Sequence, residues 1–316
     1  MSFRRILFTL FFICLYICRP SFGKCEDPVI AALQSMRIQP YNDAVNGFTS
    51  RCPFRVRRFV LAESEGVDLP TKIRNMGAAV ILAIGSEAFN RVKAITDIPI
   101  VCLMTPKILT APAAPNFYGI RMRAAAENQI ELISAVLPDI RRIGLIYNPD
   151  QSGHFVRKAS DTAGDFGIEI FSKAINKAKS MPDALIKLSH CIDAFWMLPD
   201  TAVVTPEVIE HLMLFSIKHG IPVITFSRKY IEAGAVMSIS VDAFDLGCQA
   251  GNIARKLLTS PAAASIPKFS EARKSVVSVN RNIAEKLRVR LDDFILNTSL
   301  AASDDLPSIL SKDVTF

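Results

Sequence analysis

The sequence reads AAVILAIGS at residues 78–86, and this stretch is the best guide to the architecture. A continuous apolar run predicts a strand that helices cover on both faces. The Gly85-Ser86 pair after it predicts a polar turn and the cap of a helix. The same order returns at residues 193–201, which read DAFWMLPDT. The chain therefore holds two units of the same α/β type.

A second repeat supports the interpretation as two units. The sequence DIPIV at residues 97–101 returns as GIPVI at residues 220–224, 123 residues later. Each copy follows a helical pattern and opens a strand. Any long α/β protein can show such echoes, so one large sheet is the alternative. Two similar lobes fit both repeats better.

Short apolar runs and amphipathic helical patterns alternate along the rest of the chain. Strands are predicted at residues 28–33, 54–62, 78–84, 98–103, 118–122, 142–147, 168–173, 194–198, 222–226, 235–239 and 275–279. Helices are predicted at residues 90–96, 127–135, 154–166, 206–219 and 246–258, among others. This alternation predicts an α/β fold of doubly wound parallel sheets.

Composition narrows the class of protein. The chain has 316 residues, half of them apolar, which excludes an intrinsically disordered protein. A removable N-terminal segment holds three arginines, and its loss lowers the net charge from +7 to +4, too little to indicate nucleic-acid binding. The sequence has no nucleophile elbow, phosphate loop, dinucleotide-binding turn or metal-ligand spacing. We therefore expect no catalytic residue, no metal and no cofactor.

The N-terminus has the layout of a secretory signal peptide. Arg4 and Arg5 precede an apolar run at residues 6–18, and small residues precede a cleavage site after Gly23. The run has 13 residues, whereas a membrane-spanning helix needs about 20, so export is favoured over a permanent anchor. We expect residues 1–23 to be removed and the mature chain to lie in the periplasm.

Export would leave five cysteines in the mature chain. Cys25 and Cys52 each precede a predicted strand, and these two strands are expected to be neighbours. An oxidising compartment would let the two thiols form a disulfide. The remaining three cysteines lie in or beside apolar segments and are expected to be buried thiols.

Polar residues follow the predicted strands, where doubly wound sheets bind their ligands. In the first unit they are Gln39, Tyr41, Ser86, Glu87 and Thr105. In the second unit they are Asn148, Ser152, Asp200, Thr201, Ser227 and Tyr230. Ser86 and Thr201 can also be ordinary helix caps. Asp200 can receive a ligand ammonium group, but solvation or helix capping is an equal alternative.

The order of several motifs resembles that of the substrate-binding proteins of bacterial ABC importers with the type 1 periplasmic-binding-protein fold. The resemblance is to the branch that includes binders of aromatic amino acids. The matching stretches are PYNDAVNGF at residues 40–48, AIGSEA at 83–88, IPIV at 98–101, VLPDIRRIGLIY at 136–147, WMLPD at 196–200, FSRKYIEAGA at 226–235 and VN at 279–280.

The resemblance implies two Rossmann-like lobes, joined by three crossovers, that close on a ligand. The crossovers are expected near residues 122–124, 227–229 and 259–260. The first lobe would comprise residues 24–123 and 230–258, the second residues 124–229 and 259–297, and residues 298–316 would form a flexible tail. The Pro- and Ala-rich stretch 105–116 departs from the family pattern and bears on ligand specificity.

The resemblance also implies a function. The chain would be a monomeric, non-enzymatic protein that captures a small polar solute, for example an amino acid, and delivers it to an ABC permease in the inner membrane. Ser86 and Thr105 would bind a carboxylate, whereas Asp200, Ser227 and Asn148 would bind an amine or hydroxyl groups. The alternatives are a ligand-binding partner of a membrane receptor or kinase, and a periplasmic enzyme of unrecognised chemistry.

Overall fold

A computed structural model describes residues 27–63, 66, 68–105, 114–200, 204–260 and 265–292. The strands are β1 (Val29–Gln34), β2 (Arg55–Val60), β3 (Ala78–Ile84), β4 (Ile100–Leu103), β5 (Phe117–Arg121), β6 (Arg142–Tyr147), β7 (Glu169–Ala174), β8 (Ala194–Trp196), β9 (Val223–Thr225), β10 (Met237–Val241), β11 (Phe269–Glu271) and β12 (Ser275–Val279). The helices are α1 (Gln39–Arg51), α2 (Leu69–Asn75), α3 (Ser86–Val92), α4 (Ala126–Val136), α5 (Pro149–Ala163), α6 (Met181–Ser189), α7 (Pro206–His219), α8 (Lys229–Glu232), α9 (Ala243–Thr259) and α10 (Arg281–Lys286). Within these ranges, no helix has both the length and the hydropathy needed to cross a membrane.

The first sheet has the strand order β11-β5-β4-β3-β1-β2, and all its pairs are parallel. Successive side chains of a strand point to opposite faces, so a strand between two helical layers must be apolar throughout. In β3, Val80 and Leu82 pack towards α1 and α9, whereas Ile81 and Ala83 pack towards α2 and α3. Helices therefore cover both faces of this sheet, as the run at residues 78–84 predicted.

The second sheet has the order β12-β10-β9-β8-β6-β7. One face packs against α4, α5 and α10, and the other packs against α6 and α7. Trp196 points to the first of these faces and Phe195 to the second. The two α/β units inferred from the repeats are confirmed. One detail differs from the all-parallel expectation, because β12 runs antiparallel to β10.

The chain passes between the sheets three times. It leaves the first sheet after β5 and enters the second through α4, returns between β10 and α9, and leaves again between β11 and β12. Ser275, at the start of β12, pairs with Val241 at the end of β10. All three connections therefore lie on the side of each sheet where the carboxyl ends of its parallel strands are found, which is called the carboxyl edge below. A chain that enters β12 from this edge must run antiparallel to β10, which explains the exception.

Two strands lie in the opposite sheet from the one expected. The stretch 230–258 was expected in the first lobe, but its strand β10 belongs to the second sheet. The stretch 259–297 was expected in the second lobe, but its strand β11 pairs with β5 in the first. The physical reason is that the chain changes sheet at Asp242, which caps α9, and not before α8. The lobe limits stay a proposal, with these two strands exchanged.

Candidate functional site

At the carboxyl edge of the first sheet, the turn after β3 is built by Gly85, which has a φ of 92°. A Cβ atom on Gly85 would lie 2.5 Å from Ser35 Oγ and 2.6 Å from Tyr41 Oη, so only glycine fits here. The Ser35 hydroxyl donates to the carbonyl of Ile84 (3.2 Å) and accepts from the N–H of Ala88 (3.0 Å). Ser35, at the end of β1, thus caps α3.

This arrangement corrects the capping role expected for Ser86. Gly85 occupies the N-cap position of α3, and glycine has no side chain with which to cap the helix. Ser86 is the first helical residue and is partly buried. Ser35 was missed because it lies 53 residues from the amide that it caps. The position of Ser35 could have identified it, because Ser35 is a polar residue directly after the first strand, where ligand-binding groups are expected.

The other first-lobe candidates differ in their surroundings. Tyr41 is partly buried, and its burial, with a smaller contribution from the Glu87 carboxylate, raises the pKa of the phenol. Glu87 is exposed beside it. Gln39 is exposed, and its amide donates to Asp43 Oδ1 (2.8 Å). Thr105 is buried and donates its hydroxyl to the carbonyl of Leu103 (3.1 Å). Tyr41 and Glu87 are therefore brought together, while Gln39 and Thr105 bond to their own segments.

At the carboxyl edge of the second sheet, Asp200 is only 1% exposed. Its Oδ2 accepts from the backbone N–H of Asn148 at 2.7 Å. The Asn148 side chain caps α5 by accepting from the N–H of Asp150 (2.9 Å), and the buried Ser152 donates its backbone N–H to the Asn148 carbonyl (2.9 Å). Asn148, Ser152 and Asp200 are three of the six candidates predicted in the second unit, and the structure places them in one hydrogen-bonded unit.

The remaining candidates follow β9. Tyr230 is buried, and its ring meets that of Phe226 edge-on, with centroids 5.4 Å apart. Ser227 is partly buried, and its carbonyl accepts from the Tyr230 N–H (3.1 Å). Thr201 lies outside the described residues. Tyr230 packs in the apolar layer beneath α6 and α7, so the structure gives its ring a core-packing contact.

A small cavity, with room for about one water molecule, lies where the crossovers meet the carboxyl ends of β8, β9 and β10. Its lining comprises Met122, Arg123, Ala124, Gln129, Trp196, Met197, Leu198, Pro199, Phe226, Ile239, Ser240, Val241 and Ser275. Arg123 is partly buried and was not singled out from the sequence. Its Cζ atom stands 3.9 Å from the centroid of the Phe155 ring. Burial lowers the pKa of this guanidinium to about 10, although Glu271 and Asp200 act in the opposite direction.

The predicted disulfide cannot be followed, because Cys25 lies outside the described residues, and it stays a prediction. Cys52 is buried, and this burial raises the pKa of its thiol. Cys102 is also buried, with a raised thiol pKa. In the part of the chain that the structure covers, no three His, Cys, Asp or Glu side chains are placed to hold a metal ion.

The sequence profile of the family described as ABC transporter substrate binding protein matches residues 63–302, well over half of the chain. The chain belongs to this family. The resemblance inferred from the motifs is thereby confirmed, as are the two α/β lobes of the type 1 periplasmic-binding-protein fold. Members of the family are substrate-binding proteins.

The individual relatives have low sequence identity to this chain. A tyrosine-binding protein of Clostridioides difficile is 25% identical over 190 residues, which are 57% of this substrate-binding protein. The match spans 53%, about half, of that relative's length. The ligand-free, open structure of a substrate-binding protein with adhesive properties from Clostridium difficile has a TM-score of 0.63 and 17% identity, covering 91% of this chain and 100% of the other. A Streptococcus pneumonia domain in complex with L-Trp has a TM-score of 0.56 and 20% identity, covering 86% and 98%.

Proposed function

We propose that this chain is the extracytoplasmic solute-binding protein of an ABC importer and that it captures an amino acid between its two lobes. One observation carries the proposal. The three crossovers all join the carboxyl edges of the two sheets, and both edges present polar groups. Ligands of open α/β sheets bind outside this edge. A solute held there touches both lobes.

The proposed mechanism is hinge closure. Tyr41, Ser86, Glu87 and Thr105 belong to the first lobe, whereas Asn148, Asp200 and Ser227 belong to the second. Only a closed arrangement lets groups from both lobes contact one small solute. The solute then shifts the equilibrium towards the closed state by its higher affinity for that state. The three crossovers supply the short segments in which such a hinge works.

The relatives and this chain's own charged and aromatic groups support one class of solute. One relative is named a tyrosine-binding protein, and a structural relative holds L-Trp. The second lobe of this chain offers a buried carboxylate, Asp200, and the small cavity beside it, which must widen to admit a solute, is lined by Trp196 and Phe226. A carboxylate suits an ammonium group, and aromatic walls suit an aromatic side chain. We therefore propose an aromatic amino acid as the first solute to test.

The family assignment and the N-terminal pattern also support the proposed location and partner. Residues 1–23 act as the export signal in this proposal, and an ABC permease in the inner membrane receives the solute from a monomeric carrier. A sensor that docks on a receptor or kinase is the alternative. Reconstitution with the candidate permease and its ATPase separates them, because only the importer gives solute uptake that depends on ATP.

The first experiment is a thermal-shift screen of the chain from Lys24 onward. The protein is first unfolded and refolded to remove any bound solute, then mixed with amino acids, short peptides, nucleosides and small carboxylates. A solute present at 1,000 times its Kd adds about 4 kcal/mol of stability, which is easily seen. We expect tyrosine or tryptophan to respond. A chain that responds to no compound, although it refolds, contradicts the proposed function.

A further inference from the structure

Arg123 is, within the described part of the chain, a cation without a matched anion. It lies in the first crossover, between β5 and α4, and lines the cavity at the carboxyl edge of the second sheet. Among the described residues its guanidinium has no hydrogen bond and no ion pair, and its close contact is the Phe155 ring. Phe155 in turn meets Trp196 edge-on, with centroids 5.4 Å apart. The stack holds the guanidinium in place without using its five N–H donors.

The carboxylates near Arg123 are directed elsewhere. Asp200 accepts the backbone N–H of Asn148, and Glu271 lies 4.0 Å from Arg121. Both carboxylates influence Arg123 only through space. Removing a guanidinium from water costs free energy, which a bidentate anionic partner can offset. Among the described residues, no carboxylate therefore forms an ion pair with the Arg123 guanidinium.

We propose that Arg123 is the residue that binds the carboxylate of the solute and so selects carboxylic acids over amines of the same shape. This inference rests on the proposed function and adds to it the residue that recognises one end of the solute. Arg123 lines the cavity, and Asp200 directly follows Pro199, which lines it too. The two opposite charges influence each other through space. A zwitterion complements such a pair, with its carboxylate on Arg123 and its ammonium group towards Asp200. Arg123, in the first crossover, thus replaces Ser86 and Thr105 as the residue proposed to bind the solute carboxylate.

The first test uses the wild-type chain and isothermal titration with three probes: L-tyrosine, tyramine, which lacks the carboxylate, and 3-(4-hydroxyphenyl)propionate, which lacks the ammonium group. The same series is run with L-tryptophan, tryptamine and indole-3-propionate. We expect loss of the carboxylate to weaken binding by about 10- to 100-fold, the range for a charge-assisted hydrogen-bonded pair. An amine that binds as tightly as its amino acid overturns the inference.

The second test uses Arg123→Gln, with Arg74→Gln as the matched control. Arg74 makes an exposed ion pair with Asp97 and lies at the opposite edge of the first sheet. Both variants lose one positive charge. We expect the Arg123 variant alone to lose about 10- to 100-fold in affinity for the amino acid and to lose its preference for it over the amine. Arg123→Lys, which keeps the charge but not the forked donor set, should fall between.

The outcomes separate the inference from the proposed function. Binding of a solute with unchanged affinity in Arg123→Gln, or a neutral nucleoside as the strongest response in the screen, overturns the inference while the solute-binding function stands. Absence of binding by the wild-type chain to all six probes and to the screening panel overturns both. Should Arg123→Gln fail to fold, Arg123→Lys and the wild-type probe series together decide the inference, because the first changes the residue and the second the solute group.

Discussion

Asp200 has two separable roles. Its carboxylate accepts the backbone N–H of Asn148 at the start of α5, and its charge acts through space on Arg123, which lines the cavity. Position after a strand predicted a ligand-binding group, but only the three-dimensional contact shows the structural role. A substitution at this residue must therefore be chosen to remove one role at a time.

Asp200→Ala should lower the free energy of unfolding by about 1–3 kcal/mol, because it leaves a buried N–H without an acceptor. Asp200→Asn keeps an acceptor and should retain most of the stability, yet it should lose affinity for an amino acid. Chemical denaturation and titration calorimetry on both variants measure the two effects. Equal affinity of Asp200→Asn and the wild-type chain would remove Asp200 from the site.

The cap of α3 gives a second test at a single residue. Ser35→Ala removes the acceptor of the Ala88 N–H and should cost about 1 kcal/mol of stability. Ser86→Ala, at the first residue of the same helix, is the control and should change stability by less than about 0.5 kcal/mol. Denaturant midpoints compare them. A larger loss of stability in Ser86→Ala than in Ser35→Ala would instead identify Ser86 as the cap of α3.

At the level of elements, the contact between α1 and α9 is unusually close. A Cβ atom on Gly247 would lie 1.9 Å from the carbonyl oxygen of Ala44, and one on Gly47 would lie 1.9 Å from that of Phe244. The backbones of the two helices thus touch through glycine. This contact joins segments about 200 residues apart and fixes α9 to the first lobe.

Gly247→Ala should therefore destabilise the protein by about 3 kcal/mol, because a methyl group in this contact forces the helices apart. Gly164→Ala is the matched control, since Gly164 has a helical φ of −59° and no atom lies within 4 Å of the place that an added methyl group would take. It should be neutral or stabilising by about 0.5 kcal/mol. Thermal and denaturant unfolding measure both. An unchanged melting temperature in Gly247→Ala would contradict the close packing.

Sequence patterns predicted some elements far better than others. The runs 78–84, 142–147 and 275–279 match β3, β6 and β12 in full, because apolar strands between helical layers leave a clear signal. The strand β11 was missed because its three residues lie at a sheet edge, where burial imposes little pattern. Helix α1 was not predicted because it is rich in Asn, Ser, Thr and Gly, and its helical form depends on packing against α9.

The site was predictable only in part, for a related reason. Strand ends can be read from the chain, so Asp200 and Asn148 could be proposed as candidates from the sequence. Arg123 lies in a connection, and its proposed role rests on its burial, on its contact with Phe155 and on the lack of a matched anion among the described residues. Ser35 acts across the sheet on a neighbouring helix. Such properties arise from contacts between distant segments and leave no local pattern.

For the whole molecule, the arrangement predicts a measurable closure. Trp196 is the chain's single tryptophan, and it lines the cavity. A saturating solute without an indole ring should shift the emission of Trp196 and decrease the radius of gyration in solution scattering, at the same midpoint concentration. A compound that gave no thermal shift is the control. Binding with no change in either signal would contradict a hinge mechanism.

The threefold passage of the chain between the sheets also governs the order in which the protein can assemble during synthesis. When residue 229 leaves the ribosome, the first sheet still lacks β11 and the cover of α9, and the second still lacks β10 and β12. Phe48 and Ala44 then have no helix against them, since their partners are Leu246 and Ala250. Neither half can finish before the chain has crossed to the other and returned. The first sheet is complete once β11 has been made, at Glu271, and the second only once β12 has been made, at Val279.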